Sequence, residues 1–79
     1  MELKELITID DQILAGQPVF KGTRVPIECF FEQLESGVSM EDFLTDFPSV
    51  TKEQAIAILE IATKLLTSKN IAQLYEIAA

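Results

Sequence analysis

The residues best placed to do chemistry lie in GQPVFKGTRVP, residues 16–26, which holds two of the three glycines, two of the three prolines, and the cations Lys21 and Arg24. A lysine, a threonine hydroxyl and an arginine around Gly22 form a tight cationic turn. Such a turn can hold one phosphate of a nucleic-acid backbone through charge-assisted hydrogen bonds. It is not a Walker loop, which needs G-x-x-x-x-G-K-[ST]. The competing reading pairs Arg24 with Asp10, Asp11 or Glu28, because a guanidinium fork readily takes a carboxylate.

The remaining chemistry is sparse. The chain has no histidine, the commonest general base and metal ligand. Ser36, Ser39, Ser49 and Ser68 each have a simpler use as a cap or turn residue. Cys29, the single cysteine, falls inside a helical pattern next to Phe30 and reads as an inert thiol. The pairs Asp10-Asp11 and Glu41-Asp42 lack the regular spacing of a calcium loop; a turn and a helix start explain them. These residues predict a protein that is not an enzyme, with no metal and no cofactor.

A chain of 79 residues is one small domain that buries only about 60% of its unfolded surface alone, so a second subunit or a partner is expected to add stability. A lone cysteine forms no internal disulfide. The start MELKELITID lacks the pattern of a signal peptide, and no apolar run approaches the ~20 residues of a membrane span, which predicts a cytoplasmic protein. Net charge is −7, concentrated in residues 28–60, where eight acids face Lys52 alone. Residues 12–27 carry no acid. That distribution disfavours nonspecific nucleic-acid binding by the middle of the chain.

The elements that must position these residues follow from periodicity and punctuation. ELITID alternates and predicts a short strand. Val19-Phe20 and Arg24-Val25 predict the arms of a short hairpin, with Gly16, Gly22 and Pro26 as structural turn residues. Pro26 suits a first helical position, and Ile27, Phe30, Phe31 and Leu34 repeat at helical spacing until Gly37. Ser39 caps a second helix with the core face Met40, Phe43, Leu44 and Phe47, ended by Pro48. Thr51 and Gln54 form a capping box for a third helix running to about Thr67 or Ser68. Asn70 and Gln73 repeat that pattern before a short amphipathic tail helix carrying Ile71, Leu74, Tyr75 and Ala78.

The third predicted helix has more apolar surface than one core needs. Ala55, Leu59, Ala62 and Leu66 form one stripe; Ile58, Ile61 and Leu65 form a second beside it. Either the helix is central and wrapped by the others, or its surplus is a subunit or partner interface. Ile58, Ile61 and Leu65, with Ile71, Leu74 and Tyr75 of the tail, are the interface candidates. Helix, short helix, turn, longer helix is also the order of a helix-turn-helix module, for which Lys21, Arg24 and Lys52 are the nucleic-acid-binding candidates.

The motif G-x-P-v-x-x-G-T-R-[VI]-P, then G-[VM]-S-x-E-[DE], then F/Y-P-x-[VL]-T, resembles a small prokaryotic family known as domain of unknown function 433, over roughly residues 6–63. The family's usual lysine after the first glycine is Gln17 here, and its frequent arginine before Gly22 is Lys21; both changes soften cationic contacts. The resemblance implies a mainly α fold, a helix-turn-helix (winged-helix or homeodomain-like) three-helix core with a short N-terminal strand or hairpin. It also implies kinship with VapB-type antitoxins encoded beside a PIN-like nuclease toxin.

Residues 1–68 are expected to form the domain and 69–79 an amphipathic C-terminal tail. The expected function is the antitoxin of a type II toxin–antitoxin pair, a homodimer that binds and neutralises a PIN-like ribonuclease toxin. The alternatives are a DNA-binding regulator, including an autorepressor of its own operon, and a structural or adaptor module.

Overall fold

A computed structural model of the chain describes residues 2–78, with Ala78 described in backbone only. Met1 and Ala79, the outer ends of the two expected segments, lie outside the described residues. The chain is mainly helical: α1 (Leu3–Leu6), β1 (Ile7–Thr8), a 3-10 turn (Leu14–Gly16), β2 (Val19–Phe20), α2 (Ile27–Glu35), α3 (Met40–Asp46), α4 (Lys52–Leu66) and α5 (Ile71–Ala78). Among the described residues no helix is long and apolar enough to cross a membrane.

The N-terminal strand is shorter than its alternation predicts. Glu5 turns its carboxylate back to accept the Glu2 N–H at 3.0 Å, closing one helical turn, and only Ile7–Thr8 remain extended. They pair antiparallel with β2, Ile7 opposite Phe20 and Thr8 opposite Val19. The expected hairpin survives as a single bridge, Val19 opposite Pro26, in which the Phe20 N–H donates to the Val25 carbonyl at 2.9 Å. Pro26 sits one residue before its expected place, at the N-cap of α2 with φ −64° and ψ 142°. The extended ψ places it outside the helix, and the following N–H of Ile27 donates to Pro18 at 3.0 Å.

The helix boundaries follow the predicted caps. After α2, Gly37 takes φ +94°, the Val38 N–H reaches the Gln33 carbonyl at 3.0 Å and the Gly37 N–H reaches Leu34 at 3.1 Å. This is a Schellman ending, which consumes two otherwise orphaned carbonyls. Ser39 Oγ accepts the Asp42 N–H at 3.1 Å to start α3. The Thr51 hydroxyl accepts the Gln54 N–H at 3.1 Å, and Gln54 Oε1 accepts the Thr51 N–H at 2.9 Å, the reciprocal capping box of α4.

All five phenylalanines join one aromatic chain. Phe20 meets Phe30 edge-on at 5.7 Å, Phe30 meets Phe43 at 4.8 Å, Phe30 touches Phe31 at 5.4 Å, and Phe43 stacks on Phe47 at 4.8 Å. Leu6, Val50, Ala55 and Ile58 close the core around them. Offset and edge contacts of this kind add to what burial alone contributes. The buried positions of α4 stop at Ile58, so its last two turns and α5 project. The radius of gyration, 13.7 Å, accordingly exceeds the ~12 Å expected for a compact chain of this length.

Candidate functional site

The basic loop is built by a turn and held by three tethers. The Thr23 N–H donates to the Phe20 carbonyl at 3.0 Å with Gly22 at φ +78°, the geometry of a turn whose third residue must have positive φ. The Thr23 hydroxyl donates to the same carbonyl at 2.8 Å and accepts the Val25 N–H at 3.0 Å. It is spent inside the turn and is not offered outward to a phosphate.

Lys21, though exposed, makes three hydrogen bonds. Its N–H donates to Leu6 at 2.9 Å, its carbonyl accepts Gln54 Nε2 at 3.0 Å, and its ammonium reaches the Lys4 carbonyl at 3.3 Å. That carbonyl belongs to the end of α1, where a cation is favoured. Gln54 therefore closes the α4 capping box and ties the basic loop to the start of α4, bringing Lys21 beside the turn that carries Lys52. Arg24 and Lys52 are exposed. Of the three acids that the competing reading offers Arg24, Asp10, Asp11 and Glu28, the last has another partner: its Oε2 accepts Gln17 Nε2 at 3.0 Å.

The other chemistry-bearing groups have structural roles. Asp10 Oδ1 accepts the Gln12 N–H at 2.9 Å and shapes the loop after β1. Burial first, and the charge of Glu32 second, push the Cys29 thiol's pKa up from its ordinary value, opposite to what a thiolate nucleophile requires. Leu14 and Ala15, at φ +48° and +57°, precede Gly16 in a left-handed turn that side chains with a Cβ rarely adopt.

The second feature is apolar. Leu65 is 67% exposed, Leu74 52%, Tyr75 65% and Ile77 82%, with Leu66 beside them. Of the interface candidates, Leu65, Leu74 and Tyr75 lie open, while Ile61 and Ile71 are half-buried. Ile58 is a core residue, 5% exposed: its stripe on α4 turns inward at the N-terminal half and outward only after Ile61. A cavity of about 450 Å³ separates the end of α4 from α5, lined by Ala62, Leu65, Leu66, Ile71 and Leu74 among others.

A second cavity, about 380 Å³ and almost wholly apolar, runs between α1, α2 and α4. Leu3, Ile7, Pro18, Ile27, Phe31, Ile61 and Leu65 line it, with Glu28 at its edge. Ala62 and Leu65 line both cavities, which makes one continuous apolar face from α1 to α5. Sequence reading missed the α1 and α2 side of this face. Its signal was the pair Ile27 and Phe31, four residues apart, which periodicity assigns to the core without saying how deep.

Comparison with known proteins gives a consistent but sparse picture. No solved structure matches the chain. A 51-residue segment is 37% identical to "Uncharacterized protein y4eO" of Sinorhizobium fredii (strain NBRC 101917 / NGR234), covering 65% of this chain. The chain spans only 23% of that protein's length. Residues 7–62, from β1 to the point on α4 where the two cavities join, match the family model described as "Protein of unknown function (DUF433)", and the chain belongs to that family.

Proposed function

We propose that this chain is a protein-binding module without catalysis of its own, the antitoxin of a type II pair that binds and neutralises a PIN-like ribonuclease in the cytoplasm. The observation that carries the reading is the apolar face of α4 and α5, where Leu65, Leu66, Leu74, Tyr75 and Ile77 are each more than half exposed. A monomer of 79 residues gains nothing from such a face in water, whereas a partner that covers it recovers roughly 25 cal/mol per Å². In this reading the domain is a helix-turn-helix arrangement with α5 as a docking tail, and the chain acts as a homodimer. Co-expression with the product of the neighbouring gene tests it: a co-purifying complex and rescued growth are expected, and no complex with no rescue refutes it.

A second reading, compatible with the first, is an operator-binding regulator. The observation that favours it is the Gln54–Lys21 hydrogen bond, 3.0 Å, which sets the acid-free loop beside the first turn of α4. Arg24 and Lys52 are then the phosphate contacts, and Lys21, already bound to Lys4, is a lesser one. A mobility shift on the chain's own promoter should weaken steeply with salt and fail for Arg24→Ala. Equal binding by the variant refutes it.

A further inference from the structure

From the cavity between α1, α2 and α4 we infer that its occupant is an amphipathic helix of the partner whose apolar face is flanked by lysine or arginine. The inference deepens the docking reading above and rests on it only in taking this face as a protein-binding surface. Ile27, Phe31, Ile61 and Leu65 line the groove around the buried Ile58, and its volume of about 380 Å³ takes roughly two or three large side chains, the number one helix face presents at i, i+3 or i+4, and i+7.

The wall on the α2 side decides the charge of the occupant. At 100° per residue, Glu35, Glu28 and Glu32 follow directly after Phe31 around α2, within a sector of about 60°. All three are exposed, and Glu28 already borders the cavity. Glu28 accepts the neutral amide of Gln17 at 3.0 Å, a contact that leaves its charge uncompensated. A helix seated in the groove thus lies beside Glu28, with Glu35 and Glu32 farther round the same side of α2, and a cationic edge complements that side. A second copy of this chain fits this groove poorly: its apolar helix α5 carries Glu76 and no cation.

The test uses the whole chain and two labelled helical peptides with the same leucine face, one flanked by lysines and the other by glutamates. The lysine peptide should bind about tenfold or more tightly than the glutamate peptide at low salt and shift the NMR signals of Ile27, Phe31, Ile61 and Leu65. Replacing Glu28, Glu32 and Glu35 with Gln should weaken it by about tenfold, while the triple change Glu41→Gln, Asp42→Asn and Asp46→Asn on α3 should alter it by less than about twofold. Equal binding of both peptides, equal loss in both triple variants, or no saturable binding overturns the inference. So does self-association seen by sedimentation together with concentration-dependent shifts of the same NMR signals, which assigns the groove to a second copy. The two proposals separate cleanly. Lysine-peptide binding in the groove without a complex with the neighbouring gene product removes the antitoxin and keeps the groove. An undiminished complex with the Gln triple variant removes the groove and keeps the antitoxin.

Discussion

Three residues carry more of the local structure than their types suggest. Gln54 satisfies the Thr51 N–H and the Lys21 carbonyl at once, so Gln54→Ala loses a capping bond and leaves a loop carbonyl without its partner. The expected cost is about 1–2 kcal/mol in chemical denaturation, and Gln54→Glu, which keeps only the capping acceptor, should recover part of it. Ala15 holds φ +57°, and Ala15→Gly should therefore stabilise the fold by about 1 kcal/mol, a sign opposite to the usual effect of adding glycine. A destabilised Ala15→Gly contradicts the left-handed turn. For Cys29 the pKa is raised, so at any pH near the ordinary thiol value the folded chain holds less thiolate than the unfolded chain. Iodoacetamide should react more slowly with folded than with denatured protein at pH 8, and the gap should close as pH passes above both values. Much of this scale was not legible in sequence: nothing local marks Leu14 and Ala15 for positive φ, and the Lys21–Lys4 contact joins residues that only the fold brings together.

At the scale of elements, the punctuation was legible because it is local. Ser39, Gly37 and the Thr51–Gln54 box act within four residues of themselves, and each ends or starts a helix where the sequence predicts. The strand in ELITID was overestimated because a one-turn helix closed by Glu5 competes with four residues of alternation. The apolar surplus of α4 was visible, yet its division was not. Ile58 and Leu65 share a stripe, and only the Phe30–Phe43 cluster, packing against the N-terminal half, makes one core and leaves the other open. Phe43 is fully buried and contacts three other rings. Phe43→Ala should cost about 3–5 kcal/mol, most of the stability of a domain this size. Phe43→Leu should keep the fold at a cost below about 1.5 kcal/mol, read as a lower thermal midpoint with unchanged helical circular dichroism. Equal midpoints for wild type and Phe43→Ala contradict the aromatic core.

At the scale of the whole molecule, a core centred on α2, α3 and the first half of α4 supports an apolar face that the described residues leave largely open. No described side chain of α5 is fully buried. A chain ending at Ser68 should therefore melt within a few degrees of the full chain while losing part of the docking face. The family match stops at residue 62, short of Leu65 and α5, so the open half of the face lies beyond the segment this chain shares with the family model. Docking of a protein partner on this face is decided by co-purification with the product of the neighbouring gene, using wild type and the double variant Leu65→Asp, Leu74→Asp. Both positions are more than half exposed, so the variant should unfold at the wild-type denaturant midpoint and yet lose the complex by at least about a hundredfold in affinity. A folded variant that retains the partner at wild-type strength, or a wild type that captures none, refutes docking on this face.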